Sequence, residues 1–278
     1  MFDRPHWSFS SVNQYLRCPL QFYFERVLRI PKPTVSSDLI LGSAVHHALA
    51  EYHLRIKHTE PTKPEEIHEA FLDYWIVKEA EEKVEYRGKN SRSDSIEKGI
   101  ALLDIYLAEE PPSAIIAVEH RTLVPIRNSE GYCLETPLIA VADLISRVDG
   151  DLKITEFKTS GRAYGESEIE TSMQATCYVN AVWETFGEWA NVEFAVLVKT
   201  KTPKLQRLNT ARTEVDLGRL GDLVENVEKA VKAGIFYPVE TPLNCSTCPY
   251  RQPCRDWKPT GQSSFDSQLV QLNGVVEC

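Results

Sequence analysis

Apolar residues recur every three or four positions through most of the first hundred residues, the spacing that loads one face of an α-helix. Ser10 to Leu28, Asp38 to Ile56, Pro64 to Glu85 and Ser93 to Glu109 carry this pattern, so four helices are expected there. Pro31 and Pro33 separate the first two and Pro111-Pro112 closes the block, since proline interrupts the helical hydrogen-bond ladder. From Ala114 the period shortens toward two and β-branched residues accumulate, which predicts strands at 114–126, 132–147 with a break near Ala140, and 151–158. A helix over 168–186, strands at 191–200 and 204–210, and an amphipathic helix over 213–233 follow.

The pattern contains no internal repeat and no long linker, and it implies an α/β chain packed as one unit around a central sheet. Its parts are a helical region over 1–112, a sheet core over 113–238, a Cys-rich segment over 239–260 and a tail over 261–278 that is expected to be disordered. An apolar fraction of 42% in 278 residues is ample for a buried core. No apolar run approaches the roughly 18 residues needed to cross a bilayer, and Met1 to Trp7 lacks a signal peptide's apolar stretch, so a cytoplasmic protein without a membrane partner is expected.

The most informative stretch runs from Ala140 to Lys158, two strand-like segments around Asp149-Gly150, a strong hairpin signal. If Val148 pairs with Asp151, counting back sets Asp143 opposite Glu156 on one face, with Lys158 two residues further along it. Opposed carboxylates repel and call for a cation. Lys158 offers a single charge, whereas Mg2+ or Mn2+ takes carboxylate oxygens and can bridge to a phosphate. Standing alone, the same residues also describe an ordinary solvated strand face.

Seven cysteines, an odd number in a chain expected to be reduced, point to metal ligation rather than disulfides. Cys245, Cys248 and Cys254 form a C-x2-C-x5-C run, close enough to surround one soft metal centre that lacks a local fourth ligand. Spacing leaves zinc and iron–sulfur equally open. Cys133 and Cys177 lie among apolar neighbours, where buried inert thiols are expected, and Cys278 ends the tail.

A formal charge of −9 means that nucleic acid could be held only by local basic patches. Lys199, Lys201, Lys204 and Arg207, continuing to Arg212, form one such stretch without an acid, and Arg162 lies just past Lys158. Tyr15, Phe22, Tyr23 and Tyr164 are candidates for stacking on single-stranded bases.

Together these segments resemble the RecB-like PD-(D/E)xK nuclease family, which includes CRISPR-associated exonucleases and AddB-type and mitochondrial exonucleases. Ser8 to Phe24, with Cys18-Pro19 followed by aromatic residues, is similar to the family's opening helix, and Leu41-Gly42-Ser-Ala-Val-His46 to its G-x-x-x-H helix. Asp143 falls on the central acid, Glu156 and Lys158 on the E-x-K, and Gln174 and Tyr178 on the Q-x-x-x-Y. Two positions depart from the pattern: Ala140 stands where the family often has Gly, and Glu156 where close relatives usually carry Asp.

The resemblance implies a restriction-endonuclease-like α/β core, a central mixed sheet flanked by helices, and a C-terminal cluster segment. It implies that His46, Asp143, Glu156 and the Phe157 carbonyl hold Mg2+ or Mn2+, with Lys158, Gln174 and Tyr178 completing the catalytic set. Cys18 then joins Cys245, Cys248 and Cys254 around a 4Fe-4S cluster, with structural zinc as the alternative. The activity implied is a DNA exonuclease, also able to act as an endonuclease, working on single strands or single-stranded ends. Its setting would be repair, recombination or CRISPR adaptation, with protein partners. A contrasting expectation is an iron–sulfur DNA-binding or assembly subunit with weak or no nuclease activity.

Overall fold

The computed structural model describes residues 6–86, 91–112 and 114–258; the expected tail over 261–278, with Cys278, lies outside the described residues. In chain order the elements are β1 (Trp7–Ser8), α1 (Phe9–Arg17), α2 (Pro19–Phe22), a π-helical turn (Tyr23–Val27), β2 (Val35–Ser36), α3 (Ser37–Lys57), α4 (Pro64–Glu81), β3 (Val84–Glu85) and α5 (Arg92–Leu107). Then follow β4 (Ile115–Val124), β5 (Leu138–Val148), β6 (Asp151–Ser160), α6 (Glu166–Glu170), α7 (Met173–Phe186), β7 (Ala190–Val198), β8 (Lys204–Thr210), α8 (Glu214–Lys232), α9 (Pro242–Cys245) and α10 (Arg251–Asp256).

Three elements differ from the expectation for local reasons. The first helix ends at Arg17, because Cys18 adopts extended backbone (φ −162°) and Pro19 opens α2. The helix expected over 168–186 is divided at Thr171–Ser172, where the Ser172 hydroxyl accepts the Ala175 N–H and caps α7. β5 starts at Leu138 rather than 132, after a turn at Asn128–Tyr132, and it runs unbroken through the buried Ala140, which pairs with Thr122.

The chain divides into two compact units. The larger, Thr34–Glu225 with β1, holds a six-stranded sheet in the order β1-β5-β6-β7-β8, with β4 also on β5. β4–β5, β5–β6 and β7–β8 are antiparallel, and β6–β7 is parallel, so the sheet is mixed. Adjacent residues on β6 settle its two faces, because strand side chains alternate. Phe157 points into a core shared by α3, α4 and α5, including Leu49, Phe71, Trp75 and Leu103, while Glu156 meets Gln174 of α7. Burying each such large apolar side chain stabilises by about 1.5–3 kcal/mol.

The smaller unit joins Ser10–Pro33 to the segment from Asn226. Leu20, Phe24 and Tyr250 form its core, with Cys18, Cys248 and Cys254 packed against them. The Tyr250 hydroxyl donates to Ile30 O, Leu20 N–H to Tyr237 O and Asn244 Nδ2 to Arg17 O, so the two chain segments are stitched together. Among the described residues no helix is long and apolar enough to cross a membrane.

Candidate active site

β5 and β6 turn at Asp149 and Gly150, whose φ angles of 53° and 95° are both positive, the geometry of a tight type I′ hairpin. From there the ladder runs from Val148–Asp151 to Leu144–Thr155, the expected register, and stops. Beyond it β5 remains paired with β4, and β6 with β7, so the two strands part at Asp143 and Glu156. Since β4 fills one edge of β5, β1 must take the edge that β6 leaves, pairing with Leu138 and Ile139. Residues 140–143 therefore face a gap in the sheet.

Asp143 lies at this gap. Its Oδ2 accepts the Phe157 N–H at 2.8 Å and lies 3.4 Å from His46 Nδ1 on α3. Glu156 is 2% exposed; its Oε1 accepts from Lys158 Nζ at 2.7 Å and Gln174 Nε2 at 2.8 Å. Its Oε2 is buried without a hydrogen-bond partner among the described residues. Gln174 Nε2 also reaches the Tyr178 hydroxyl at 2.6 Å, as side chains four apart on a helix can. Six side chains drawn from a stretch of more than a hundred residues thus converge, whereas His47, beside His46, is exposed and stacks on Tyr74.

The electrostatics follow from this crowding. Burial, and then the nearby Asp143 charge, push Glu156 up to about 7. Burial also opposes ionisation of Asp143, but His46, the Phe157 N–H and Lys158 outweigh it and hold Asp143 below the usual carboxylate range. Burial disfavours charge on His46 and Lys158 as well, and the two carboxylates override it, raising both. Lys158 therefore keeps its proton at neutral pH.

A further site residue, Glu119 of β4, was not singled out in the sequence. One carboxylate oxygen of Glu119, a nitrogen of His46 and an oxygen of Asp143 lie within 4.8 Å of one another. Donors on opposite sides of a hard ion with bonds of 2.0–2.1 Å stand about 4 Å apart, so little movement is needed to share one. The buried, unpartnered Glu156 Oε2 is compatible with the same ion, because a carboxylate oxygen out of water is unfavourable unless a cation or a proton meets it. This nitrogen-and-oxygen donor set fits a divalent ion. Glu119 could be read as strand from its alternation, but its place beside Asp143 depends on the irregular 125–137 connection, which carries no register signal.

The other sequence candidates divide. In the smaller unit Cys18, at the start of α2, is brought to Cys245, Cys248 and Cys254; burial first, and then Cys18 and the other two thiols, push Cys254 up to about 11. Cys18 Sγ also accepts the Val239 N–H at 3.5 Å. Lys199 is paired with Asp38, Arg207 with Glu193 and Glu109, and Arg162 with Glu168. Lys201 and Lys204 are exposed and form no ion pair among the described residues. Tyr15 and Phe22 are buried, the Tyr15 hydroxyl donating to Ile235 O, and the Tyr23 ring lies on Phe236, so the expectation that Tyr15 and Phe22 stack on bases is not met. Cys177 is buried as expected, but Cys133 is exposed, because its segment is a loop rather than a strand.

A mixed sheet carrying an acid, an acid-x-lysine pair and a helix-borne imidazole at one gap is the architecture of a hydrolytic nuclease. The chain belongs to the PD-(D/E)XK nuclease superfamily, whose sequence pattern matches residues 6–255. Solved structures include 29 matching chains. A Eubacterium rectale protein assigned by inference as an exonuclease aligns at TM-score 0.57 and 13% identity, covering 98% of this chain and 94% of that one, a likeness of fold. The protein SSO0001 aligns at TM-score 0.33 and 16% identity over 83% of this chain and 91% of its own. Comparison with curated proteins found no match.

Proposed function

We propose that the chain is a metal-dependent DNA exonuclease of the RecB-like kind, acting on single strands or single-stranded ends and carrying an iron–sulfur cluster in its smaller unit. The observation that carries the reading is the buried, unpartnered Glu156 Oε2 beside Asp143 and His46. His46, Asp143, Glu156 and the Phe157 carbonyl would hold the ion, with Glu119 close enough to join them. The imidazole favours Mn2+ over Mg2+, which prefers oxygen alone. When bound, such an ion supplies Lewis-acid polarisation of a phosphate and an acidified water.

The chain's own groups supply the rest. Lys158, held protonated by Glu156, is suited to neutralise charge developing on the phosphate and to hand a proton to the leaving oxygen rather than to act as a base. Gln174 fixes the same Glu156 oxygen and is itself oriented by Tyr178. Lys201 and Lys204, unpaired, are better placed to take DNA phosphates than Lys199, Arg207 or Arg162, which must first release acidic partners.

Iron–sulfur is preferred to zinc on the family resemblance alone, since four thiolates suit either metal. Resemblance suggests a role in repair, recombination or CRISPR adaptation with protein partners. Digestion of end-labelled single- and double-stranded DNA with Mn2+, Mg2+ or chelator tests the reading: metal-dependent shortening from an end supports it, and intact DNA in every metal opposes it.

A further inference from the structure

Behind the carboxylates lies a buried polar pair that the catalytic set does not use. His53 of α3 is fully buried; its Nδ1 lies 2.6 Å from Leu49 O and its Nε2 2.9 Å from the Tyr106 hydroxyl. A carbonyl only accepts, so Nδ1 carries the hydrogen and donates to Leu49 O, and Nε2 accepts from Tyr106. Both ring nitrogens are satisfied, which fixes the ring against rotation.

That fixed ring lies against Phe157, centroids 5.4 Å apart and planes 17° from parallel. Tyr106 meets the same phenyl edge-on at 5.3 Å and 88°, and His46 does so at 6.3 Å and 88°. Phe157 is therefore bounded by three rings, and its N–H is the group that fixes Asp143 Oδ2. His53 follows His46 by seven residues, close to two helical turns, so both lie on one stripe of α3. Gly42 continues the stripe, and a Cβ there would come 3.2 Å from Thr159 Oγ1. Helix α3 is thus seated on β6 at two points, the bare Gly42 against Thr159 and His53 against Phe157.

We propose that His53 and Tyr106 are positioning residues: by clamping the Phe157 ring they hold its backbone, and through it the Asp143 carboxylate and the α3 stripe bearing His46, in the arrangement a divalent ion needs. This rests on the metal-site reading above. A hydrophobic pair would fill the same volume, whereas two directional hydrogen bonds also set the angle of the ring.

The test uses Tyr106→Phe, which removes a single oxygen, and His53→Leu, in the full chain. Two quantities are measured: Mn2+ affinity by calorimetry without DNA, and amide exchange at Phe157 in metal-free protein. Positioning predicts Mn2+ binding weakened by about tenfold or more, the range found when groups supporting metal ligands are lost. It also predicts Phe157 exchange accelerated relative to the rest of β6, with little change in Tm for Tyr106→Phe. Wild-type affinity and wild-type Phe157 exchange in both variants would overturn it. Should the unaltered protein bind no Mn2+, the metal-site reading fails, and Phe157 exchange alone then decides: acceleration supports the clamp, no change refutes it.

Discussion

Glu119 lies across from Asp143, between the Val118–Leu144 and His120–Ala142 pairs, with its backbone held at φ 48°. A non-glycine residue in this left-handed region inside a strand carries roughly 1–2 kcal/mol of strain. Here the strained residue is also the one whose carboxylate joins His46 and Asp143. Glu119→Gly should therefore leave Tm unchanged or raise it while weakening Mn2+ binding. A clear fall in Tm with unchanged affinity would mean that the residue serves the strand and not the ion.

The contact between α4 and α5 depends on a missing side chain. A Cβ at Gly99 would come 2.2 Å from Phe71 Cζ. Overpacking a full core typically costs about 1–3 kcal/mol. Gly99→Ala should destabilise by that order, and Phe71→Leu should recover part of the loss in the double variant. Additive losses, measured by denaturant unfolding, would contradict the contact.

Much of this site was legible because its signals are local. Asp149-Gly150 specifies a two-residue turn, and counting back from it aligns Asp143 with Glu156 and Lys158. Gln174 and Tyr178 were marked by the resemblance, and helix geometry then puts residues four apart on one face. What could not be read depends on chain packing. Glu119 reaches Asp143 through an irregular connection, and His53 gains its meaning from Tyr106 on another helix. Tyr15 and Phe22 suggest stacking by type, yet both are buried in the smaller unit. The charge run from Lys199 to Arg212 likewise gives no hint that Glu109 and Glu193 claim Arg207.

The buried His53 makes metal-free stability depend on pH. Burial lowers it from 6.5 to about 4. The unfolded chain therefore takes up its proton first as pH falls, and the folded state loses stability between about pH 6.5 and 4, by about 3 kcal/mol if this group acted alone. Above 6.5 the contribution is fully present. His53→Leu, with chelator present, should flatten this part of the stability curve; an unaltered slope would rule out a neutral buried imidazole.

Removing one of the four cysteines tests the proposed cluster. Cys254→Ser should lose bound iron and acid-labile sulfide together and lower the melting temperature, since ligand binding contributes to folding. A colourless wild-type protein rich in zinc would refute the iron–sulfur assignment. Full iron content in the variant would remove Cys254 from the ligand set.

Asp143, Glu156, Lys158 and His46 are proposed to form one phosphodiester-cleaving site. Single-turnover digestion of end-labelled single-stranded DNA in Mn2+, comparing wild type with Lys158→Ala and Asp143→Ala, decides whether they do. The site geometry predicts a rate loss of about a hundredfold or more in each variant, as for other transition-state-stabilising groups, with folding intact by circular dichroism. Undiminished cutting by both well-folded variants would contradict the assignment.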